Sequence, residues 1–136
     1  MVKEIIHDPI FLSLKSEKAD KNDISTADDM LETLKANRDR CVGMAANMTG
    51  VSKCIIVFYD GEKLCEMFNP EIVAKKDPYE AEEGCLSLTG TRKTKRYKTI
   101  KVKWQDRQLR TRIKSFTGFT AQIIQHEVDH CNGKVI

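Results

Sequence analysis

The sequence contains no apolar run that approaches the roughly 20 residues needed for a membrane-spanning helix. Residues 1–9 contain no apolar core of the kind found in signal peptides. Internal repeats and low-complexity linkers are also missing. We therefore expect a cytoplasmic protein that has no membrane partner.

Disulfide patterns and strong charge of one sign are missing too. The five cysteines are odd in number and have no C-x-x-C spacing, which is a poor disulfide framework and fits a reducing compartment. The net charge is only +3, which does not by itself indicate a nucleic-acid partner. We expect no DNA binding.

The length and the periodicity of apolar residues predict the fold class. With 136 residues and 40% hydrophobic residues, the chain has the size of one globular domain, residues 1–136. A helix is expected to begin at Ser25, behind a hydroxyl cap, and to end near Asn37. The expected strands are 53–59, 63–68, 71–75, 99–105 and 108–116. The first two are joined by the turn at Asp60-Gly61, and Asn69-Pro70 closes the second. This order predicts an α+β fold with a mostly antiparallel sheet, an N-terminal helix and a C-terminal helix.

A basic cluster lies between residues 92 and 103. Its members are Arg92, Lys93, Lys95, Arg96, Lys98, Lys101 and Lys103. Lysine is common on solvated strand edges, where it blocks aggregation between sheets. The other interpretation is contact with RNA, including that of the ribosome.

An H-E-x-x-H pattern near the end of the chain points to a metal site. His126 and His130 are four residues apart, so on a helix they share one face and can hold one metal ion, with Glu127 beside it as a general base. The pattern also occurs by chance in ordinary helices. Here, two of the three histidines of the chain fall in it, and Phe119 and Ile123 extend the same face. This placement favours a metal-bearing helix.

A catalytic metal site usually has three protein ligands and one open position. Cys85, in the segment E-G-C-L-S, is a soft candidate for the third ligand. It follows Gly84, a residue that permits an unusual backbone path.

Three segments, in this order, resemble the peptide deformylase family. The family has a G-Φ-G-Φ-A-A-x-Q loop, where Φ is apolar, and residues 41–48 correspond to it with departures. Its E-G-C-L-S and Q-H-E-x-D-H motifs are intact at 83–87 and 125–130. The opening Asp8-Pro9 and Gly133 also look like the family.

The resemblance implies a metallohydrolase that removes formate from N-terminal formyl-methionine of nascent bacterial polypeptides. It implies one divalent ion held by Cys85, His126 and His130, ferrous iron in vivo, with zinc, nickel or cobalt in preparations. Glu127 would be the acid/base, and the backbone N–H of Leu86 would donate to the oxyanion. The expected substrate-binding residues are Gly43, Met44, Met48, Glu83, Gly84, Phe119 and Ile123. The expected partners are the formylated nascent peptide and, through protein biosynthesis, the ribosome.

The departures lie in the first motif and in the side-chain pocket. Cys41 stands where the family has its first glycine, and Met48 where it has a glutamine whose amide donates a hydrogen bond; a thioether has no N–H to donate. Gln122 is polar where the methionine pocket is usually apolar. We therefore expect a slower enzyme.

Two alternatives stay open. One is a deformylase-like amidohydrolase that acts on another N-acyl substrate. The other is a catalytically silent descendant that binds ribosomes or RNA through the basic cluster. The intact Glu127 argues against the second alternative, because a silent site has no chemical need for a base.

Overall fold

The computed structural model describes residues 1–134. The helices are α1 (Pro9–Leu12), α2 (Ile24–Ala36) and α3 (Gly118–Cys131). The strands are β1 (Gly43–Ala45), β2 (Ile55–Asp60), β3 (Lys63–Cys85), β4 (Leu88–Gln105) and β5 (Thr111–Thr117). Short 3₁₀ helices cover Lys21–Asp23 and Ala46–Thr49. The strands form one antiparallel sheet in the order β1-β2-β3-β4-β5, which confirms the predicted α+β class.

Strand β2 is the centre of the core because both of its faces are buried. Ile55, Val57 and Tyr59 pack into the cluster that contains the apolar side of α2, whereas Ile56 and Phe58 pack into the cluster that contains α3. Successive side chains of a strand point to opposite faces of the sheet. Helices α2 and α3 therefore cover opposite faces, and the apolar run of β2 serves both.

Strand β3 continues through a segment where the sequence indicated an end. The separate strand expected at 71–75 is part of β3, so that prediction was wrong. The ladder between β3 and β4 shifts register between Phe68 and Glu71. Asn69 has a φ of +52°, which asparagine tolerates better than most residues, and Pro70, which has no N–H to donate, sits in the irregularity.

Other strand bounds also differ from the expected ones. Strand β4 begins at Leu88 and not at Thr99, because it pairs with β3 over most of its length in one long hairpin. Strand β5 begins at Thr111 and not at Gln108, because a turn after β4 is closed by the Asp106 N–H donating to the Arg110 carbonyl at 2.9 Å.

The helix bounds are closer to expectation. Helix α2 begins at Ile24, and its N-cap residue Asp23 makes no side-chain cap, so the hydroxyl cap expected at Ser25 was wrong. Helix α2 ends where predicted, with Asn37 as its C-cap. Within residues 1–134, no helix is long and apolar enough to cross a membrane.

Asn69 yields a test of the irregularity in β3. Its Oδ1 accepts from the Ala19 N–H at 2.8 Å, and its Nδ2 donates to the Ala19 carbonyl at 2.9 Å and to Gln105 Oε1 at 2.7 Å. Asn69→Ala loses these bonds and puts an ordinary residue at positive φ, so we expect a loss of about 2–4 kcal/mol in the free energy of unfolding. Urea denaturation followed by circular dichroism measures this change.

Asn69→Gly separates the two causes, because glycine accepts positive φ without strain. We expect it to recover roughly 1 kcal/mol relative to Asn69→Ala. An Asn69→Ala variant as stable as wild type would contradict this account of the irregularity in β3.

Candidate active site

The three predicted ligands converge at one point. The ligand atoms of Cys85, His126 and His130 lie within 4.8 Å of one another. His130 Nε2 is 3.4 Å from Cys85 Sγ and 3.1 Å from His126 Nε2. Nitrogen ligands about 2.0–2.1 Å and sulfur about 2.3 Å from a tetrahedral ion would be separated by roughly 3.3–3.6 Å. The donor set therefore fits one divalent ion.

The two histidines have different environments. His126 Nδ1 lies 2.9 Å from Glu83 Oε1, a contact that orients the ring so that Nε2 faces Cys85 and His130. Burial opposes protonation of His126, but hydrogen bonds with Cys85 and Glu83 outweigh it and raise its pKa to about 10. Burial lowers the pKa of His130 to about 3, which keeps it neutral, as a metal ligand must be. Metal binding would displace the proton of His126, because a ligating imidazole is neutral.

The carboxylate of Glu83 is held from several sides. Gln122 Nε2 donates to Glu83 Oε2 at 2.9 Å, and the Tyr79 hydroxyl donates to Gln122 Oε1 at 3.3 Å. Burial opposes ionisation of Glu83, but hydrogen bonds from His126, Arg96 and Gln122 outweigh it and lower its pKa to about 2. The polar amide of Gln122 is therefore engaged by Glu83 and Tyr79.

Glu127 is buried beside the ligands, with a relative exposure of 4%. Its Oε1 has no hydrogen-bond partner among residues 1–134. Burial raises the pKa of Glu127 to about 7. A carboxyl group that titrates near neutrality can both accept and return a proton.

The edge strand β1 presents an open backbone beside Glu127. The Val42 carbonyl accepts from the Tyr59 N–H of β2 at 2.9 Å. Because backbone groups alternate in direction along a strand, the N–H and C=O of Gly43 point away from β2, toward the open edge. A Cβ on Gly43 would lie 2.6 Å from Ile123 Cγ2 and 2.9 Å from Glu127 Oε2, so a side chain here would collide with α3.

A cavity of about 550 Å³ lies between β1, the β3–β4 turn and α3. The predicted site residues that line it are Gly43, Met48, Glu83, Gly84, Cys85, Leu86, Phe119, Ile123, His126 and Glu127. His130 is fully buried outside the lining. Leu86, whose backbone N–H is the predicted oxyanion donor, lies in the turn after β3 and lines the cavity.

Two predicted substrate-binding residues lie elsewhere than expected. Met44 is fully buried in the cluster on the α2 side and does not line the cavity, because its side chain points to the opposite face from Gly43. Phe119 lines the cavity but is 64% exposed, so it lies at the rim and does not continue the inward face of the two histidines.

The two departures in the first motif both face the cavity. Met48, 1% exposed, contributes a thioether to the lining. The Cys41 thiol donates to the Gly43 carbonyl at 2.7 Å. Burial raises the pKa of Cys41 to about 12, so this thiol stays protonated.

Arg96 is the main residue of the site that sequence reasoning missed. It was placed in the exposed basic cluster, which is wrong, because its side chain is only 3% exposed and contacts Glu83 and Asp129. A signal existed: Arg96 is an even number of residues before Ile100 and Val102, so strand alternation places it on the buried face.

The fold agrees with comparisons to known proteins. The family model for polypeptide deformylase matches residues 4–136. A peptide deformylase of Clostridium beijerinckii is 54% identical over 136 residues, which are 100% of both chains. The chain belongs to the polypeptide deformylase family. The predicted activity, metal-dependent removal of the formyl group from nascent peptides, is confirmed at the level of the family.

Solved deformylase structures share the fold over almost the whole chain. A class I type b peptide deformylase from Acinetobacter baumannii, with Met-Ala-Ser bound, matches with a TM-score of 0.88 and 30% identity, and the match covers 98% of this chain and 96% of that one. Peptide deformylase from Thermotoga maritima matches with a TM-score of 0.87 and 32% identity over 98% and 93%.

The close contact at Gly43 generates a test of the site geometry. Gly43→Ala must displace Ile123 or Glu127, and a displacement of about 1 Å can cost roughly 10²-fold in rate. We expect kcat/KM for formyl-Met-Ala-Ser to fall by about that factor. Gly61→Ala is the control, because a Cβ on Gly61 has nothing within 4 Å; its positive φ strains the turn but should leave activity unchanged. Full activity of Gly43→Ala would contradict the close approach.

Proposed function

We propose that this chain removes the formyl group from N-terminal formyl-methionine of nascent polypeptides, using a metal ion held by Cys85, His126 and His130. One observation carries the proposal: the donor atoms of Cys85, His126 and His130 lie within 4.8 Å of one another, and Cys85, His126 and the buried Glu127 line one cavity at the open edge of β1. Family membership supports the same conclusion.

Each residue of the site has a separate role in the proposed amide hydrolysis. Cys85, His126 and His130 would hold a divalent ion, which would supply Lewis-acid chemistry at this end of the cavity. Glu127 accepts a proton from the attacking water and returns it to the nitrogen as the C–N bond breaks, which yields formate and a free amino terminus. The Leu86 N–H donates to the oxygen that becomes negative.

The substrate would bind as an additional strand. The N–H and C=O of Gly43 at the open edge of β1 can pair with an extended peptide, a common mode of peptide recognition. Ile123 and Phe119 offer apolar walls for the methionine side chain, and the amide of Gln122 is already bonded to Glu83 and Tyr79.

The identity of the metal and the cellular setting are further parts of the proposal. We propose ferrous iron as the ion in vivo, with zinc, nickel or cobalt in preparations, and a cytoplasmic location. We also propose that contact with the ribosome uses the exposed members of the basic cluster. These are Lys93, Lys95, Lys98, Lys101 and Lys103.

Formate release from formyl-Met-Ala-Ser under anaerobic conditions tests the function. We expect iron-loaded wild type to be active, and Glu127→Gln to keep its metal but to lose roughly 10²–10⁴-fold in rate, since it lacks the proton acceptor. Cys85→Ala, which loses one ligand, is the control for metal content by elemental analysis. Wild-type activity in metal-loaded Glu127→Gln would refute the mechanism.

Met48 generates a second prediction about rate. Met48→Gln puts an amide N–H at a cavity position where the thioether has none, with little change in length. Loss of one oxyanion donor typically lowers kcat by roughly 10²–10³-fold. We expect Met48→Gln to raise kcat by about tenfold or more but by less than about 10²-fold, because the residues around position 48 suit a thioether. Steady-state kinetics of the iron-loaded variant measures it.

Met48→Leu is the matched control, because it keeps an apolar side chain and adds no donor. It should not raise kcat, and the metal content of both variants should equal that of wild type. An unchanged or lower kcat in folded Met48→Gln would mean that a missing donor does not slow this enzyme.

A further inference from the structure

The guanidinium of Arg96 lies behind the metal ligands and joins three elements of the fold. Its Nε lies 3.1 and 3.0 Å from the two carboxylate oxygens of Glu83, and its Nη2 donates to Oε1 at 2.7 Å. Its Nη1 donates to Asp129 Oδ2 at 2.6 Å. Arg96 belongs to β4, Glu83 to β3 and Asp129 to α3. One side chain thus ties the helix to both strands of the long hairpin.

Both carboxylates are next to metal ligands along the chain. Glu83 precedes Cys85 by two residues and also contacts His126 Nδ1 at 2.9 Å. Asp129 immediately precedes His130. Arg96 therefore acts on all three ligands, through the backbone for Cys85 and His130 and through the Glu83 carboxylate for His126.

A stabilising role alone does not account for this arrangement. The free energy needed to remove two charges from water is about as large as the free energy gained when they pair in the interior. A buried ion pair is therefore weak evidence that it stabilises the fold. A guanidinium is a rigid planar fork that fixes the direction of a carboxylate, whereas the lysine ammonium is a point charge. The contact of the fork with Glu83 sets which way that carboxylate faces His126.

We propose that Arg96 is a positioning residue of the metal centre. By fixing Glu83 and Asp129, it sets the orientation of the His126 ring and the separation between the Cys85 turn and α3. It does not line the cavity and acts through Glu83 and Asp129. The inference rests on the proposed function, because it takes Cys85, His126 and His130 as the ligands.

Cobalt(II) binding to the metal-free protein tests the inference without measuring activity. Loss of a residue that supports ligands typically weakens metal affinity by roughly 10–100-fold. We expect Arg96→Gln to weaken the affinity for cobalt by roughly 10–100-fold. We expect Arg96→Lys to weaken it by about tenfold, because lysine keeps the positive charge but lacks the planar guanidinium. The cobalt–thiolate absorption band should shift in both variants. In protein saturated with metal, kcat should fall while KM stays within about twofold, because Arg96 is outside the cavity lining.

Arg107 offers a matched control. It makes a similar fork on Glu66, with Nε to Oε2 at 2.9 Å and Nη2 to Oε1 at 2.7 Å, and reaches Asp28 at 2.7 Å. It does not line the cavity. Arg107→Gln should bind cobalt as tightly as wild type, with an unshifted absorption band.

The outcomes separate this inference from the proposed function. If wild type binds no cobalt, both fail. If wild type binds cobalt and the folded Arg96 variants match its affinity within twofold, only the positioning role is overturned. Should neither Arg96 variant fold, Asp129→Asn takes their place, because Asp129 is partly exposed at 23%. An affinity at least about threefold weaker then supports the proposal, and an unchanged one overturns it.

Discussion

The contact between Gly43 and helix α3 is the constraint on which the site depends. The helix lies so close to the edge strand that a Cβ would meet Ile123 Cγ2 at 2.6 Å and Glu127 Oε2 at 2.9 Å. Because glycine leaves that space free, the carboxylate of Glu127 reaches the strand edge where a peptide can pair. The same approach buries Glu127 and so raises its pKa toward neutrality. Backbone geometry at one residue thereby places the proposed peptide-binding edge beside the proposed proton acceptor.

The N-terminal segment, through Ile6 and His7, makes hydrogen bonds to two parts of the chain that lie at the cavity. The Ile6 N–H donates to the Met48 carbonyl at 2.8 Å, and His7 Nδ1 lies 2.7 Å from the Ser87 carbonyl in the turn after Cys85. This is the third histidine of the chain, and it supports the ligand-bearing turn without joining the ligands. The site is thus held by segments far apart in sequence, which suits a centre whose ligands must keep fixed separations.

What the sequence predicted well was local. The spacing of His126 and His130 is a property of a single helix turn, and the helix that carries both residues, Gly118–Cys131, forms as predicted. The long β3–β4 hairpin was missed because its continuity depends on pairing between the two strands, whereas the local turn signals at Asn69 and Pro70 indicate a strand end. Cys85 was found through its motif. The burial of Arg96 was missed because exposed lysines surround it, although strand alternation from Ile100 and Val102 places it on the buried face; its contacts with Glu83 and Asp129 depend on tertiary structure.

The departures from the family's first motif lie on the cavity wall formed by residues 41–48, away from the ligand set. Cys41 and Met48 line the cavity, and neither belongs to the cluster of Cys85, His126 and His130. The Cys41 thiol donates to the Gly43 carbonyl, the acceptor at the open edge. A thiol is a weak donor and a carbonyl oxygen has two lone pairs, so this acceptor still has capacity for a peptide N–H. The substitutions therefore change the chemical lining of the cavity and leave the candidate metal ligands Cys85, His126 and His130 unchanged.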